Sequence, residues 1–344
     1  MTIAPTLVSQ GLWQWNLGAY PEKACFSPDG GQLAFALGDG RVALIGLPDG
    51  FAEFAEVHDG STLSIGAHPA SGFLTGGDDG RLCHVDTQGE VTEVMHFPGI
   101  WIEPSAQSAN HQTMALGAGL EALVLDLTAG SHCSFGPHAS TVTGLAISPA
   151  GGILAASHIG GLTLWDLDDP KSPVTINWKG GNLALAFYPD GKYLACSHQE
   201  NAVHVLDLTA QSVFAISGLP GKSAQLAWTH DSRHLMTTGA RAVLCWPVPD
   251  CFQETPTPIA FAVQEEANTC AVAANAHIPF AAVGFDDGRI LLTELNRFAA
   301  FPLDHVPGSP VSTLAWSDNG MFLACGLEDG RGLLLDLGAM LGGA

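Results

Sequence analysis

Short apolar runs recur along this chain at a nearly constant spacing, and turn residues break each one before it reaches helix length. Leu74 to Asp86, LTGGDDGRLCHVD, is one instance: an apolar run, an Asp-Gly turn, and an alternating run that ends in an acid. Alternation with a period of two marks a half-buried strand, and Asp-Gly between two such runs marks a hairpin. With that glycine as a marker, Gly40 and Gly80 lie 40 residues apart, and steps of 40 to 47 residues then reach Leu120, Gly160, Asn201, Arg241, Gly288 and Gly330. Upstream, further runs end in their own turns: ACFSPDG at 24–30, GLAISPAG at 144–151, LAFYPDG at 185–191, LAWTHDS at 226–232 and LAWSDNG at 314–320. Pro presets φ in such turns, Asp caps its own backbone, and Gly accepts a positive φ. Six residues after each marker stands Gly46, Asp86, Asp126, Asp166, Asp207, Pro247, Glu294 or Asp336, an acid in six of eight cases. Each unit therefore reads as strand, turn, strand, Asp-Gly turn, strand, loop and a fourth strand.

Four strands in about 40 residues make one propeller blade. The recurrence resembles the WD40-repeat β-propellers, from about residue 12 to 337. The Trp-Asp dipeptide stands intact once, at Trp165-Asp166, while Trp246 is followed by Pro247. The resemblance implies an all-β chain forming a single closed β-propeller domain over 1–344, with eight four-stranded blades. Its repeat units are 24–47, 62–86, 102–127, 142–167, 183–208, 224–248, 270–295 and 311–337. Seven blades is the alternative, because the third unit has the poorest strand pattern. The last unit stops one strand short, and LWQWNLG at 12–18 reads as a spare strand. In this family the N-terminal strand often completes the last blade, which removes an open edge. Trp13 to Leu17 are therefore expected to pair with the strand around Leu333–Leu337.

Charge narrows the partners. Twelve Lys and Arg face 34 Asp and Glu, a formal net charge of −22. Such a surface repels phosphate backbones, so nucleic acid and anionic membrane surfaces are poor partners, and a basic protein or a cation suits it better. The first residues lack the basic and apolar segments of a secretory signal, and no run of about 20 apolar residues forms a membrane helix. Eight cysteines occur without a CxxC pair, which points to reduced thiols and a cytoplasmic location. Proline-rich PVPDCFQETPTP at 247–258 falls in the one long gap and reads as an inserted loop.

Three groups of residues are candidates for chemistry. Arg41, Arg81, Arg289 and Arg331 each follow an Asp-Gly turn, and in a closed eight-blade arrangement their blades are consecutive. They are expected either to dock an acidic segment of a partner, since the guanidinium fork binds carboxylates bidentately, or to balance the acids beside them. His132, His138, His158 and His198, with Cys133, are candidates for a metal, without the spacing of an established ligand motif. WD40 blades also carry an internal array of a loop His, a strand Ser, a turn Asp and the Trp, which imitates a hydrolase triad. His138, Ser157, Trp165 and Asp166 represent that motif in the fourth unit, where Ile159 replaces the turn Asp; the second unit has His58 and Asp79 without Ser or Trp. No GxSxG nucleophile elbow or phosphate loop is present. The resemblance implies a non-catalytic scaffold that binds partner proteins through its loops, with no cofactor. The alternative is an accessory protein that binds a metal or small ligand through loop His and Cys.

Overall fold

The computed structural model describes residues 2–248, 256–304 and 306–341. Most of the 247–258 loop expected from the sequence therefore lies outside the described residues. The fold is an all-β propeller of eight blades, and each repeat unit forms an antiparallel sheet with its strands in sequence order. The third unit, the doubtful one, supplies Ile102–Gln107, Thr113–Ala118, Glu121–Asp126 and Ser131–Phe135, so the count is eight.

The blades fall into two compact units. Residues 1–102 with 273–344 carry blades 1, 2, 8 and most of blade 7, and residues 103–272 carry blades 3 to 6. Within each unit the first strands of successive blades pack side by side: Val311–Trp316 beside Pro21–Phe26 beside Thr62–Ala67 in one, Val142–Ile147 beside Asn182–Phe187 in the other. The second strands, such as Gln32–Leu37, Ile153–His158 and Tyr193–His198, are buried on both faces. Alternation disappears there, and small residues replace it (Ala34, Ala36, Ala155, Ala156, Ala195), which lets neighbouring sheets approach.

The N-terminal segment does more than complete a blade. Leu12–Asn16 pairs with Arg331–Asp336 as the fourth strand of blade 8, in the register Leu12 to Leu335, Trp13 to Leu334 and Trp15 to Gly332. Thr6–Ser9 then adds a fifth strand to blade 8, and Thr2–Ile3 adds a fifth to blade 1 by pairing with Ala52–Glu56. These two additions have no Asp-Gly or alternating signature and were not anticipated. Leu12, Trp15 and Leu17 are fully buried, and the Trp15 indole Nε1 donates to the Gly50 carbonyl of blade 1 at 3.1 Å.

The recurrent acids have a structural task. Asp86, Asp126, Asp166 and Asp207 each accept two backbone N–H bonds from the turn after the third strand, at 2.8–3.2 Å. Asp336 caps the only helix among the described residues, Leu337–Leu341, through the Ala339 N–H at 3.0 Å. In the first turn of blade 1, Ser27 Oγ donates to Asp29 at 2.6 Å and accepts from the Gln32 N–H at 2.9 Å. The same Ser/Thr-x-Asp/Asn clasp recurs at Ser108–Asn110, Thr229–Asp231 and Ser317–Asn319. Much of the excess negative charge is therefore turn chemistry.

Candidate functional site: the Asp-Gly-Arg turns and the loops they hold

In blade 2 the turn between the second and third strands meets two loops, the one that leaves blade 1 and the one that leaves blade 2 itself. Gly80 has φ +79°, and a Cβ there would sit 2.1 Å from the Phe97 carbonyl, so no other residue fits this turn unstrained. Asp79 accepts from the Arg81 N–H at 3.0 Å, the Arg81 Nε at 2.7 Å, the Asp59 N–H at 3.1 Å and His58 Nδ1 at 3.0 Å. Arg81 Nη2 continues to the Val57 carbonyl at 2.7 Å, on the segment leaving blade 1. Burial disfavours the charge of Asp79, yet the Arg81 N–H and guanidinium, the Asp59 N–H and the His58 ring outweigh it. They hold its carboxyl well below the usual carboxylate range.

The other three arginines repeat this geometry in part. Arg41 reaches Asp39 at 2.6 Å and the Leu17 carbonyl at 3.3 Å, and its guanidinium lies 4.6 Å from the Phe54 ring centre. Arg331 pairs with Asp329 at 2.7 Å and donates to the Val306 carbonyl. Arg289 pairs with Asp287 at 2.5 Å. Arg41, Arg81 and Arg331 thus each tie their own Asp to the backbone just past the fourth strand of the preceding blade. The structure places all four arginines in one compact unit, on successive blades 7, 8, 1 and 2. Each has a local carboxylate partner.

The triad-like array is split among blades. In blade 2, His58 Nε2 meets Thr75 Oγ1 at 3.0 Å, so a threonine supplies the hydroxyl that the sequence reading found missing. Thr75 is fully buried, out of reach of any substrate. In blade 4 the Trp165 indole donates to His138 Nε2 at 3.1 Å, while His138 Nδ1 donates to the Leu120 carbonyl at 2.8 Å. Ser157 turns away, to Thr143 at 3.2 Å. In blade 6 the Trp246 indole donates to Thr237 at 3.1 Å. Asp166 serves its turn cap and takes no part.

These bonds fix His138 as the neutral Nδ1–H tautomer. Burial lowers its pKa, against the Leu120 hydrogen bond. The stability this neutral ring contributes is full above the ordinary histidine value of about 6.5 and is lost as pH falls through the lower native value. We expect the His138 ring to titrate below about 6.5 by NMR, and Trp165→Phe to raise that value. A titration at or above 6.5 in the wild type would contradict the bonding pattern.

The candidate metal ligands do not assemble. His132 is exposed on a fourth strand opposite Leu125, and Cys133 is opposite Val124. His138 lies against His158, ring centres 5.7 Å apart, with both its nitrogens engaged. His198 Nε2 donates to the Lys179 carbonyl at 2.6 Å, its Nδ1 accepts from the Glu200 N–H at 3.2 Å, and its ring centre lies 5.5 Å from that of His204 in a tilted arrangement. Among the described residues no three His, Cys, Asp or Glu side chains converge. Burial pushes the Cys83 thiol up to about 11 and the Cys25 and Cys245 thiols up to about 12, so these cysteines are protonated packing residues.

The chain's similarities agree with this anatomy. The family profile "WD domain, G-beta repeat" matches residues 301–332, which run from the end of blade 7 into the third strand of blade 8. This match and the eight blades support a WD40-repeat propeller family. This propeller is 30% identical over 130 residues to echinoderm microtubule-associated protein-like 2 of Rattus norvegicus, a stretch covering 36% of this chain and 20% of that protein. The match thus spans about a fifth of that relative's length. Among solved structures, the propeller resembles the computationally designed Ika8 protein with a TM-score of 0.72 and 15% identity, over 93% of this chain and 96% of that one, a likeness of fold alone. Among the described residues no helix is long and apolar enough to cross a membrane.

Sequence reasoning missed one feature of these loops. Trp101, on the loop leaving blade 2, is 64% exposed, and Ile100 beside it is also exposed. The Gly80 turn underlies this loop: the Phe97 N–H donates to the Gly80 carbonyl at 2.8 Å. FPGIW at 97–101 carried the signal, a bulky apolar pair directly after Pro-Gly.

Proposed function

We propose that this WD40 propeller is a non-catalytic scaffold that binds a partner protein through the loops at the Asp-Gly-Arg end of blades 7, 8, 1 and 2. Members of the family typically serve as protein-interaction scaffolds. The observation that carries the reading is Trp101: a large exposed indole on a loop held rigid by the Gly80 turn is the kind of residue that dominates binding energy at interfaces. Exposed Val306, on the loop held by Arg331, extends the apolar character of this end. The four arginines enter as the frame of the surface. Each is tied to an aspartate of its own turn, so an acidic partner segment would have to compete with an existing ion pair. Thr75 is buried and the Cys25, Cys83 and Cys245 thiols are protonated, so these groups do not offer a nucleophile.

The test is affinity capture from extract of the source organism, comparing the wild type with Trp101→Ala. We expect specific partners to be retained by the wild type and reduced at least tenfold by the variant, with both proteins melting at the same temperature, because an exposed side chain contributes little to folding. Equal capture by the two would sink the assignment to this loop.

A further inference from the structure

A second surface lies within the unit formed by residues 103–272. Between the outer halves of blades 4 and 5 runs an open groove of about 510 Å³. One wall is Val174 and Ile176 of the fourth strand of blade 4, Val174–Asn177, with Trp165 behind them. The other wall is Leu206, Leu208 and Val213 of blade 5. Val174 is 55% exposed and Val213 47%, so two β-branched apolar side chains face solvent across this gap. Its volume is in the range of formed ligand sites, roughly 300–1,000 Å³.

Register explains why the groove is open. In blade 4, Leu162 pairs with Ile176 and Leu164 with Val174. In blade 8, the residues at the same steps after the Asp-Gly marker pair differently: Gly332 with Trp15 and Leu334 with Trp13. Val174 and Ile176 thus hold the places that Trp13 and Trp15 hold in blade 8. There Trp15 shares one buried cluster with Ile45 of blade 1, and Trp13 and Leu47 pack against that cluster; Ile45 and Leu47 correspond to Leu206 and Leu208 of blade 5. The gap that two indoles fill between blades 8 and 1 is left by two smaller side chains between blades 4 and 5.

Charge specifies the occupant further. Asp166 and Asp207 line the groove at the turn end of the third strands. Each spends Oδ1 on its turn, and among the described residues its Oδ2 accepts no hydrogen bond, although Lys192 lies within electrostatic reach of Asp207. Exposed Asp168 and Asp169 stand next to Asp166 in the chain. We propose that this groove docks an extended segment of a partner protein that carries an aromatic side chain, of indole or phenyl size, with a Lys or Arg beside it. The aromatic ring takes the space that Trp13 or Trp15 takes between blades 8 and 1, and the cation meets Asp166 and Asp207. This surface is separate from the Trp101 loop, and the proposal does not depend on that assignment.

The experiment is fluorescence anisotropy with a labelled peptide, LWQWNL followed by two lysines, on the full chain. Val174→Trp fills the groove with the side chain blade 8 uses, and Asp207→Asn keeps the turn cap while removing the charge. We expect saturable binding to the wild type, at least tenfold weaker binding to Val174→Trp with a melting temperature equal or higher, and severalfold weaker binding to Asp207→Asn. Trp101→Ala should bind the peptide as the wild type does. No saturable binding, or binding unchanged in Val174→Trp, overturns the proposal. So does a dimer in solution that Val174→Trp dissociates, because a second copy of the chain would then be the occupant. A peptide with both tryptophans replaced by alanine that binds equally well also overturns it, since charge alone would then account for binding.

Discussion

A chain lacking residues 2–17 is expected to lose its cooperative fold. The deletion removes the fourth strand of blade 8 and the added strands of blades 8 and 1. It also removes Leu12, Trp15 and Leu17, all fully buried. Burying each such side chain contributes about 2–3 kcal/mol, so the three together approach about 6–9 kcal/mol. Native stability is itself only about 5–15 kcal/mol. The deletion further exposes the backbone edge of Arg331–Asp336 between two apolar faces, an aggregation-prone arrangement. Size-exclusion chromatography and thermal melts followed by circular dichroism check this. The expected result is insoluble or aggregated material, and Trp15→Ala alone should remain soluble while losing about 3–5 kcal/mol. A truncated chain that stays monomeric and melts within about 2 °C of the full chain, where even a 1 kcal/mol loss would move a chain this size by that much, would show that blade 8 is stable without its N-terminal strand.

Asp79→Ala should be the most damaging single substitution in the Asp-Gly-Arg turns. It strips one acceptor from four donors: the N–H groups of Asp59 and Arg81, the Arg81 guanidinium and the buried His58 Nδ1. Leaving buried donors and a partly buried charge without a partner costs more than the bonds contribute net, about 3 kcal/mol or more for such a site. The equivalent change at Asp39, whose partners are solvent-accessible, should cost about 1 kcal/mol or less. Urea denaturation of the two variants gives the comparison. The pH dependence follows from the depressed pKa of Asp79. Its contribution is complete above the unfolded carboxylate value of about 3.9 and is lost as pH falls through the lower native value, so wild type and Asp79→Ala should converge in stability in strong acid. Equal losses at Asp39 and Asp79, or a gap between wild type and Asp79→Ala that persists in strong acid, would show that the network of His58, Asp79 and Arg81 is not what holds the turn.

The same turns show where local sequence and tertiary contact part company. Asp86, Asp126, Asp166 and Asp207 bond backbone within three or four residues, so their role belongs to a local pattern that recurs with the repeat. The arginines following Asp-Gly belong half to each level. Their Asp partner sits two residues away and was in view from the sequence. Their second partners, Leu17, Val57 and Val306, lie 24 or 25 residues away in the chain. Those contacts turn a local counter-charge into a tie between successive blades, and no local pattern announces them.

Blade number, the closing strand and the recurring acid after the third strand were legible because the repeat returns about every 40 residues and repetition averages out the weakness of any single copy; that the acid caps its turn emerged only from the structure. The added strands Thr2–Ile3 and Thr6–Ser9 were not legible, because an edge accepts almost any extended backbone and leaves little trace in side-chain choice. Thr75 was missed as the hydroxyl of the blade 2 array because a search for serine ignored the β-branched residue that strands favour. The exposure of Trp101 and the groove between blades 4 and 5 were decided by tertiary structure alone. Whether an indole is core or surface, and whether valine leaves a gap or fills one, depends on the size of the side chain facing it from the next blade, and that neighbour is set by how sheets stack and not by the order of residues within one sheet.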